Sequence, residues 1–123
     1  MGATAEERAM HIEQCDQGNT TILRLKGDLN EEAVFVLRNT MYDCVTERRV
    51  NLVLNLSEVR FMSYLGLGVI LDRLRQVRKE RGDIKIVGMN MYMDRMFRLG
   101  GAHGLFECFE TEPQAIEVYR QAA

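Results

Sequence analysis

The strongest constraint on the fold comes from one apolar stretch near the middle of the chain, residues 50–56. Its apolar side chains alternate as they do in a β-strand, and Val53 adds an apolar residue on the face opposite Leu52 and Leu54. A strand that is apolar on both faces is typical of the middle of a sheet. The stretch therefore predicts a central strand in a sheet that is covered by helices.

Further strands and helices alternate on either side of this stretch. Residues 10–15 and 20–25 predict a hairpin, because the turn-forming residues 16–19 separate them. The other predicted elements are strands at 83–87 and 106–109 and helices at 31–49, 65–81, 89–99 and from Pro113 onward. This order predicts a single α/β domain, a small mixed β-sheet with helices packed against it and right-handed crossovers.

Composition narrows the classes of function. The chain has 123 residues, of which 46% are hydrophobic and 28% charged, which is typical of one globular domain with its own core. No apolar run reaches the ~18 residues that a membrane helix needs, so we expect no membrane insertion. A formal net charge of -2 argues against binding of nucleic acid through overall positive charge.

The N-terminal residues and the cysteines predict a cytoplasmic protein. Residues 1–8 are polar and lack the apolar core of a signal peptide, so they are predicted to form a flexible N-terminal tail. The cysteines Cys15, Cys44 and Cys108 are odd in number and lack CxxC spacing. We therefore expect reduced, mostly buried thiols rather than a disulfide framework or a zinc site.

The sequence also lacks the usual signs of catalysis. Neither Ser57 nor Ser63 lies in a nucleophile elbow, and His11 and His103 have no metal-ligand spacing. Neither a phosphate-binding P-loop nor a complete dinucleotide-binding motif is present. The sequence therefore predicts a protein that is not an enzyme and that holds no cofactor or metal.

The most informative segment, residues 57–68, follows the central strand and opens the longest helix. Open α/β sheets place their binding sites at this end of a strand. Ser63 can cap the helix with its hydroxyl. Gly66 and Gly68 each cost the first turns roughly 1 kcal/mol relative to alanine, so the bare backbone must serve another purpose. That purpose is either close packing on the sheet or close approach of a partner.

Several short motifs together resemble the STAS domain of bacterial anti-sigma factor antagonists. The segment Gly27-Asp28-Leu29-Asn30 is similar to the family's G-x-L-D motif. The central strand and the residues after it also resemble the family, namely Val59, Phe61-Met62, Gly66-Leu67-Gly68 and Ile70-Leu71. Further matches lie at residues 84–88 and in the last quarter of the chain, at Leu99-Gly100, Gly104-Leu105-Phe106, Thr111 and Ala115. The resemblance covers residues 9–120. The resemblance implies a small mixed sheet with helices and a role in binding a regulatory protein.

The resemblance also shows where this chain departs from the family. The family switch is a phosphorylated Ser or Thr in D-S-[ST]-G-L-G. Here Ser63 stands at the Asp position, Tyr64 follows, and Leu65 occupies the position of the phosphoacceptor. The resemblance therefore implies a module that binds an anti-sigma factor kinase and frees a sigma factor, while its usual phosphoswitch is missing.

We expect the docking surface at Ser63, Tyr64, Leu65, Gly66 and Gly68, with Asn30, Met89 and Met91 beside it. Ser63 and Tyr64 carry the remaining hydroxyls that could take a phosphate. Their alternative roles are plain helix capping for Ser63 and partly exposed packing for Tyr64. Likewise, the methionines of residues 89–96 either pack in the core or form an adaptable binding surface.

Two other functions stay open at this point. STAS-like proteins also serve as non-catalytic subunits of transport or signalling assemblies, where no phosphoswitch is needed. The same loop could instead sense a nucleotide or another ligand. The basic residues from Arg73 to Arg81 predict either a solvated helix face or a surface for an acidic partner. The sequence does not decide whether the chain forms a homodimer.

Overall fold

The computed structural model describes Gly2, Thr4 and residues 9–122. The predicted tail at residues 1–8 therefore lies mostly outside the described residues. The elements are the strands β1 His11–Gln17, β2 Thr20–Lys26, β3 Asn51–Glu58, β4 Asp83–Val87 and β5 Cys108–Phe109 and the helices α1 Glu31–Thr46, α2 Tyr64–Lys79, α3 Met91–Leu99 and α4 Glu112–Ala122.

The strands form one five-stranded mixed sheet in the order β1-β2-β3-β4-β5. β1 and β2 pair antiparallel as the predicted hairpin, and each later neighbour pairs parallel. Gly18, with φ +59°, occupies the first position of the two-residue turn between them, where this left-handed conformation suits glycine. The α/β architecture expected from the sequence is confirmed, with β3 in the central position.

The sheet is covered on both faces. One core cluster joins Leu54 and Ile86 to the buried sides of α1, α2 and α3, for example Leu37, Ile70 and Phe97. The second, smaller cluster lies under α4 and consists of Ile22, Val53, Val87, Ala115 and Tyr119. Val53 thus contributes to the second face, as its place in an apolar strand indicated. None of the helices in the described residues is long and apolar enough to cross a bilayer.

Several element boundaries differ from the sequence prediction. α3 begins at Met91 rather than at residue 89, because the side chain of Asn90 caps it. β5 contains two residues rather than four, since only Cys108 and Phe109 pair with β4. α2 ends at Lys79, and Arg81 takes the left-handed conformation (φ 65°) that ends the helix.

Glycine is required at position 82 for a different reason. A Cβ atom there would lie 2.1 Å from the carbonyl oxygen of Val50. The amide of Gly82 donates to Val77 O at 2.8 Å, which closes the end of α2. Gly82 therefore lets the chain pass close to β3 before it enters β4.

A buried polar cluster fastens α4 to the sheet. The hydroxyl of Tyr119 lies 2.7 Å from both Leu52 O and Asp83 O, the backbone carbonyls of adjacent strands. The ammonium of Lys85 lies 4.5 Å from the centre of the Tyr119 ring and pairs with Asp83 (3.1 Å) and Glu107 (2.7 Å). Burial raises the pKa of Tyr119, so its hydroxyl remains a neutral hydrogen-bond donor.

We expect Tyr119→Phe to lower the free energy of unfolding by about 1 kcal/mol, because the variant removes the one hydroxyl donor shared by the carbonyl groups of Leu52 and Asp83. Urea unfolding followed by circular dichroism measures the change. Tyr42→Phe is the matched control, since it removes a hydroxyl from an exposed tyrosine. Equal unfolding midpoints for the two variants would show that the Tyr119 hydroxyl does not anchor α4.

Candidate functional site

The loops after β2 and β3 are fastened side by side at the carboxyl end of the sheet. Leu29 and Met62 form an isolated parallel bridge. In this bridge the amide of Leu29 donates to Phe61 O at 2.8 Å, and the amide of Ser63 donates to Leu29 O at 2.9 Å. The starts of α1 and α2 therefore lie next to each other, at the end of the sheet where the sequence placed the site.

Neutral side chains cap α1, α2 and α3, which start at this end of the sheet. Asn30 Oδ1 accepts from the amide of Ala33 at 3.0 Å, and Asn90 Oδ1 accepts from that of Met93 at 2.8 Å. Ser63 Oγ accepts from the amide of Gly66 at 3.3 Å. The predicted capping role of Ser63 is confirmed, and Asn30 caps α1 in the same way. Each cap satisfies one amide that the helix leaves without a partner.

Two hydrogen bonds join the start of α3 to the loop that precedes α2. Asn90 Nδ2 donates to Val59 O at 3.4 Å, and the hydroxyl of Tyr92 donates to Met62 O at 3.4 Å. Both acceptors belong to the loop between β3 and α2. The first turn of α3 is thereby held against the loop that precedes α2.

Apolar and aromatic side chains on these segments point to solvent. Leu65 is 58% exposed and Met91 is 88% exposed, and Tyr64 is exposed as well. Phe61 and Tyr92 are also exposed, although the sequence analysis did not single them out as site residues. We call these five residues together with Gly68 the α2 surface.

Helical spacing alone does not mark Tyr92 as exposed. The buried residues of α3 are Met93, Met96 and Phe97, and Tyr92 precedes Met96 by four residues, a spacing that places both near the same side of the helix. Its position depends instead on how α3 meets the loop before α2, where its hydroxyl bonds to Met62 O.

The two glycines of α2 differ in their surroundings. A Cβ atom on Gly66 would lie 2.8 Å from Leu29 Cδ2, so this glycine is needed for packing between α2 and the bridge. A Cβ atom on Gly68 would meet nothing within 4 Å. Gly66 therefore belongs to the core rather than to an accessible surface, and packing gives no reason for glycine at position 68.

The methionines divide between the two roles left open by the sequence. Met93 and Met96 are buried in the core, and Met89 is partly buried against it. Met91 projects into solvent beside Tyr92. Met91 therefore remains in the candidate surface, whereas Met89 contributes mainly to packing.

The α2 surface carries little negative charge. The first turn of α2 contains no acidic residue. Arg60 and Arg95 are exposed next to this surface, and neither forms an ion pair within the described part of the chain. Asp94 pairs with Arg98 at 2.8 Å, and this hydrogen bond lowers the pKa of Asp94. Such a surface suits burial against a partner, because few charges would lose their water.

The groups that could carry chemistry lie elsewhere. His11 and His103 are exposed at the start of β1 and in the loop after α3. The expectation of mostly buried thiols is wrong: Cys44 is buried, Cys15 is partly exposed and Cys108 is exposed. Burial raises the pKa of Cys44 to about 11. No group of three metal-ligating side chains comes together among residues 9–122.

Comparison with known proteins agrees with this architecture. The sequence model of the STAS domain matches residues 11–115. An anti-sigma F factor antagonist of Paenibacillus polymyxa is 26% identical over 108 residues, which cover 87% of this chain and 92% of that protein. One from Lysinibacillus sphaericus is 28% identical over 102 residues, covering 82% and 86%.

A solved structure shares the fold. The crystal structure of an anti-sigma factor antagonist from Mycobacterium paratuberculosis superimposes with a TM-score of 0.82 at 20% identity, covering 92% of this chain and 96% of that one. The family match extends from β1 into α4 and so includes every segment of the α2 surface. The chain belongs to the STAS domain family.

Proposed function

We propose that this chain is a non-catalytic cytoplasmic binding module that engages an anti-sigma factor kinase and thereby frees a sigma factor. The observation that carries the proposal is Leu65, an exposed leucine in the first turn of α2. In the resembling antagonists this position holds the phosphoacceptor. A leucine cannot be phosphorylated, so the surface stays uncharged and ready for a partner.

The physical reason lies in desolvation. Fully burying a leucine side chain contributes about 1.5–3 kcal/mol. A phosphate at the same place would bring nearly two negative charges that lose their water in the interface. A constitutive apolar surface therefore supports a partner complex that phosphorylation at this position cannot dissolve.

A second function is favoured by the same residue. If no switch operates, the module also fits a permanent subunit of a transport or signalling assembly. The two functions differ in the partner rather than in the surface. Affinity capture from native cell extract, read by mass spectrometry, separates them when Leu65→Glu is used as the control bait. A kinase lost with the variant supports the first function, and a transporter or scaffold component lost with it supports the second.

We expect Leu65→Glu to abolish partner binding while the domain stays folded. The new carboxylate would have to lose its water in the interface, yet an acidic residue in a first turn favours the helix. Calorimetry against the captured partner measures binding, and thermal unfolding checks the fold.

Leu105→Glu is the matched control for this variant. Leu105 is also exposed, and its carbonyl accepts from Arg78 at the far end of α2. We expect the Leu105→Glu variant to bind the captured partner with the affinity of the wild type. Unchanged affinity of the Leu65 variant would remove the α2 surface from consideration.

Gly68→Ala should separate stability from binding. Because the added methyl group meets open space, the variant should stabilise the fold by roughly 0.5–1 kcal/mol through helix propensity. If a partner approaches the bare backbone at this position, the same methyl group should weaken its binding. Urea unfolding and partner calorimetry on one preparation measure both effects, and unchanged affinity would place Gly68 outside the interface.

Protein purified from its own cells should carry no phosphate on Ser63 or Tyr64. The Ser63 hydroxyl is engaged in capping α2, and the chain keeps no hydroxyl at position 65. Intact-mass and peptide mass spectrometry measure the modification. A substantial phosphorylated fraction at either residue would show that the surface is switched after all, through a displaced acceptor.

A further inference from the structure

A second group of exposed aromatic residues lies on α1. Phe35 is 58% exposed and Tyr42 is 55% exposed. They are seven residues apart, so both rings lie on the same side of the helix. A helix face that only contacts water normally carries polar side chains. Two large rings on this face therefore call for an explanation.

Each ring is covered by a guanidinium group. The Cζ atom of Arg38 lies 5.3 Å from the centre of the Phe35 ring, and that of Arg73, on α2, lies 5.5 Å from the centre of the Tyr42 ring. Both distances are within the range of cation–π contacts. Arg73 Nη2 also donates to the backbone oxygen of Arg38 at 3.3 Å. These four residues form one continuous area, which we call the aromatic–arginine patch.

The positive charge of this patch is not neutralised within the chain. Neither Arg38 nor Arg73 forms an ion pair with any described residue, whereas Arg24, Arg49 and Arg75 each do. Arg73 Nη1 donates to the side-chain oxygen of Gln76, a neutral acceptor, at 2.6 Å. The Nε atom of Arg73 is buried and has no hydrogen-bond partner. Each guanidinium group thus lies over a ring of α1 and has no carboxylate partner among the described residues.

We propose that the aromatic–arginine patch is a second docking surface, which binds an acidic segment of a partner protein. Arginine presents a planar set of donors that matches a carboxylate, and stacking on the rings holds that plane in place. Carboxylates of the partner pair with Arg38 and Arg73, and its apolar side chains cover Phe35 and Tyr42. The patch thereby gains the negative charge that the chain itself does not supply.

The surrounding charges favour a protein segment over other polyanions. Glu31, Glu32 and Asp43 are exposed on the same helix, and the chain has a formal net charge of -2. A nucleic-acid backbone or an anionic lipid surface presents negative charge over a wide area and would meet these carboxylates. A short acidic segment can place its charges opposite two arginines alone.

The patch and the first turn of α2 are separated along the helix. Arg73 follows Tyr64 by nine residues in α2, which corresponds to about 14 Å along the helix axis. The patch therefore involves the middle of α2, whereas Leu65 lies in its first turn.

The test uses a fluorescent peptide in which Asp or Glu alternates with Leu or Phe, and a second peptide with Asn and Gln in place of the acids. Anisotropy measures binding, and amide NMR shifts locate it. We expect the acidic peptide alone to bind, with shifts on α1 and the middle of α2. Arg38→Gln should weaken binding by about tenfold, because one charge-assisted pair is lost. Phe35→Gln should weaken it as well.

Lys79→Gln is the matched control, because Lys79 is an exposed cation on α2 that also forms no ion pair among the described residues. It should bind the acidic peptide as the wild type does. Equal loss in the Lys79 and Arg38 variants would overturn the proposal. So would equal binding of both peptides, no binding of the acidic peptide, shifts confined to the α2 surface, or tighter binding of duplex DNA or of phosphatidylserine vesicles.

Discussion

The site depends on one short parallel contact between two loops. Leu29 and Met62 pair through the hydrogen bonds from Leu29 N to Phe61 O and from Ser63 N to Leu29 O, just beyond the ends of β2 and β3. This pairing extends the sheet by one bridge, and each of the two segments then continues into a helix. The bridge fixes where α1 and α2 begin. Gly66 permits this packing because a Cβ atom at position 66 would collide with the side chain of Leu29. The exposed side chains of Phe61, Tyr64 and Leu65 are positioned from this contact, whereas Met91 and Tyr92 are positioned by α3.

The caps explain why the surface can be apolar and still be stable. A helix that starts with an uncharged side-chain cap has its free amides partly satisfied without a carboxylate at the site. Asn30, Ser63 and Asn90 all provide this, and Asn90 also reaches back to Val59 O. Only α2 combines such a cap with a first turn that has no acidic residue, since α1 carries Glu31 and Glu32 there and α3 carries Asp94. Tyr64 and Leu65 therefore do not serve to cap the helix, and their side chains can contact a partner.

Local patterns predicted the elements and one end of the sheet, but not the contacts between distant parts of the chain. The two-faced character of β3 and the cap at Ser63 follow from short segments, and both are present in the structure. Lys85 shows the limit: strand alternation puts it with Asp83 on a polar face, yet it is buried. Its partners Glu107 and Tyr119 lie far along the chain, so no window of sequence around Lys85 reveals them. Phe61 and Tyr92 were missed for a related reason, because their exposure depends on how α3 meets the loop before α2.

The two surfaces share one helix, and this makes α2 the element through which binding events could influence one another. Its first turn carries Tyr64 and Leu65, its middle carries Arg73, and its buried side packs on the sheet through Leu67, Ile70 and Leu74. Both surfaces are built on the same rigid, well-packed helix rather than on a mobile loop. Coupling between them would therefore need a shift of α2 against α1, where Arg73 bonds to the backbone of Arg38. Without such a shift, binding at the two proposed surfaces would be independent.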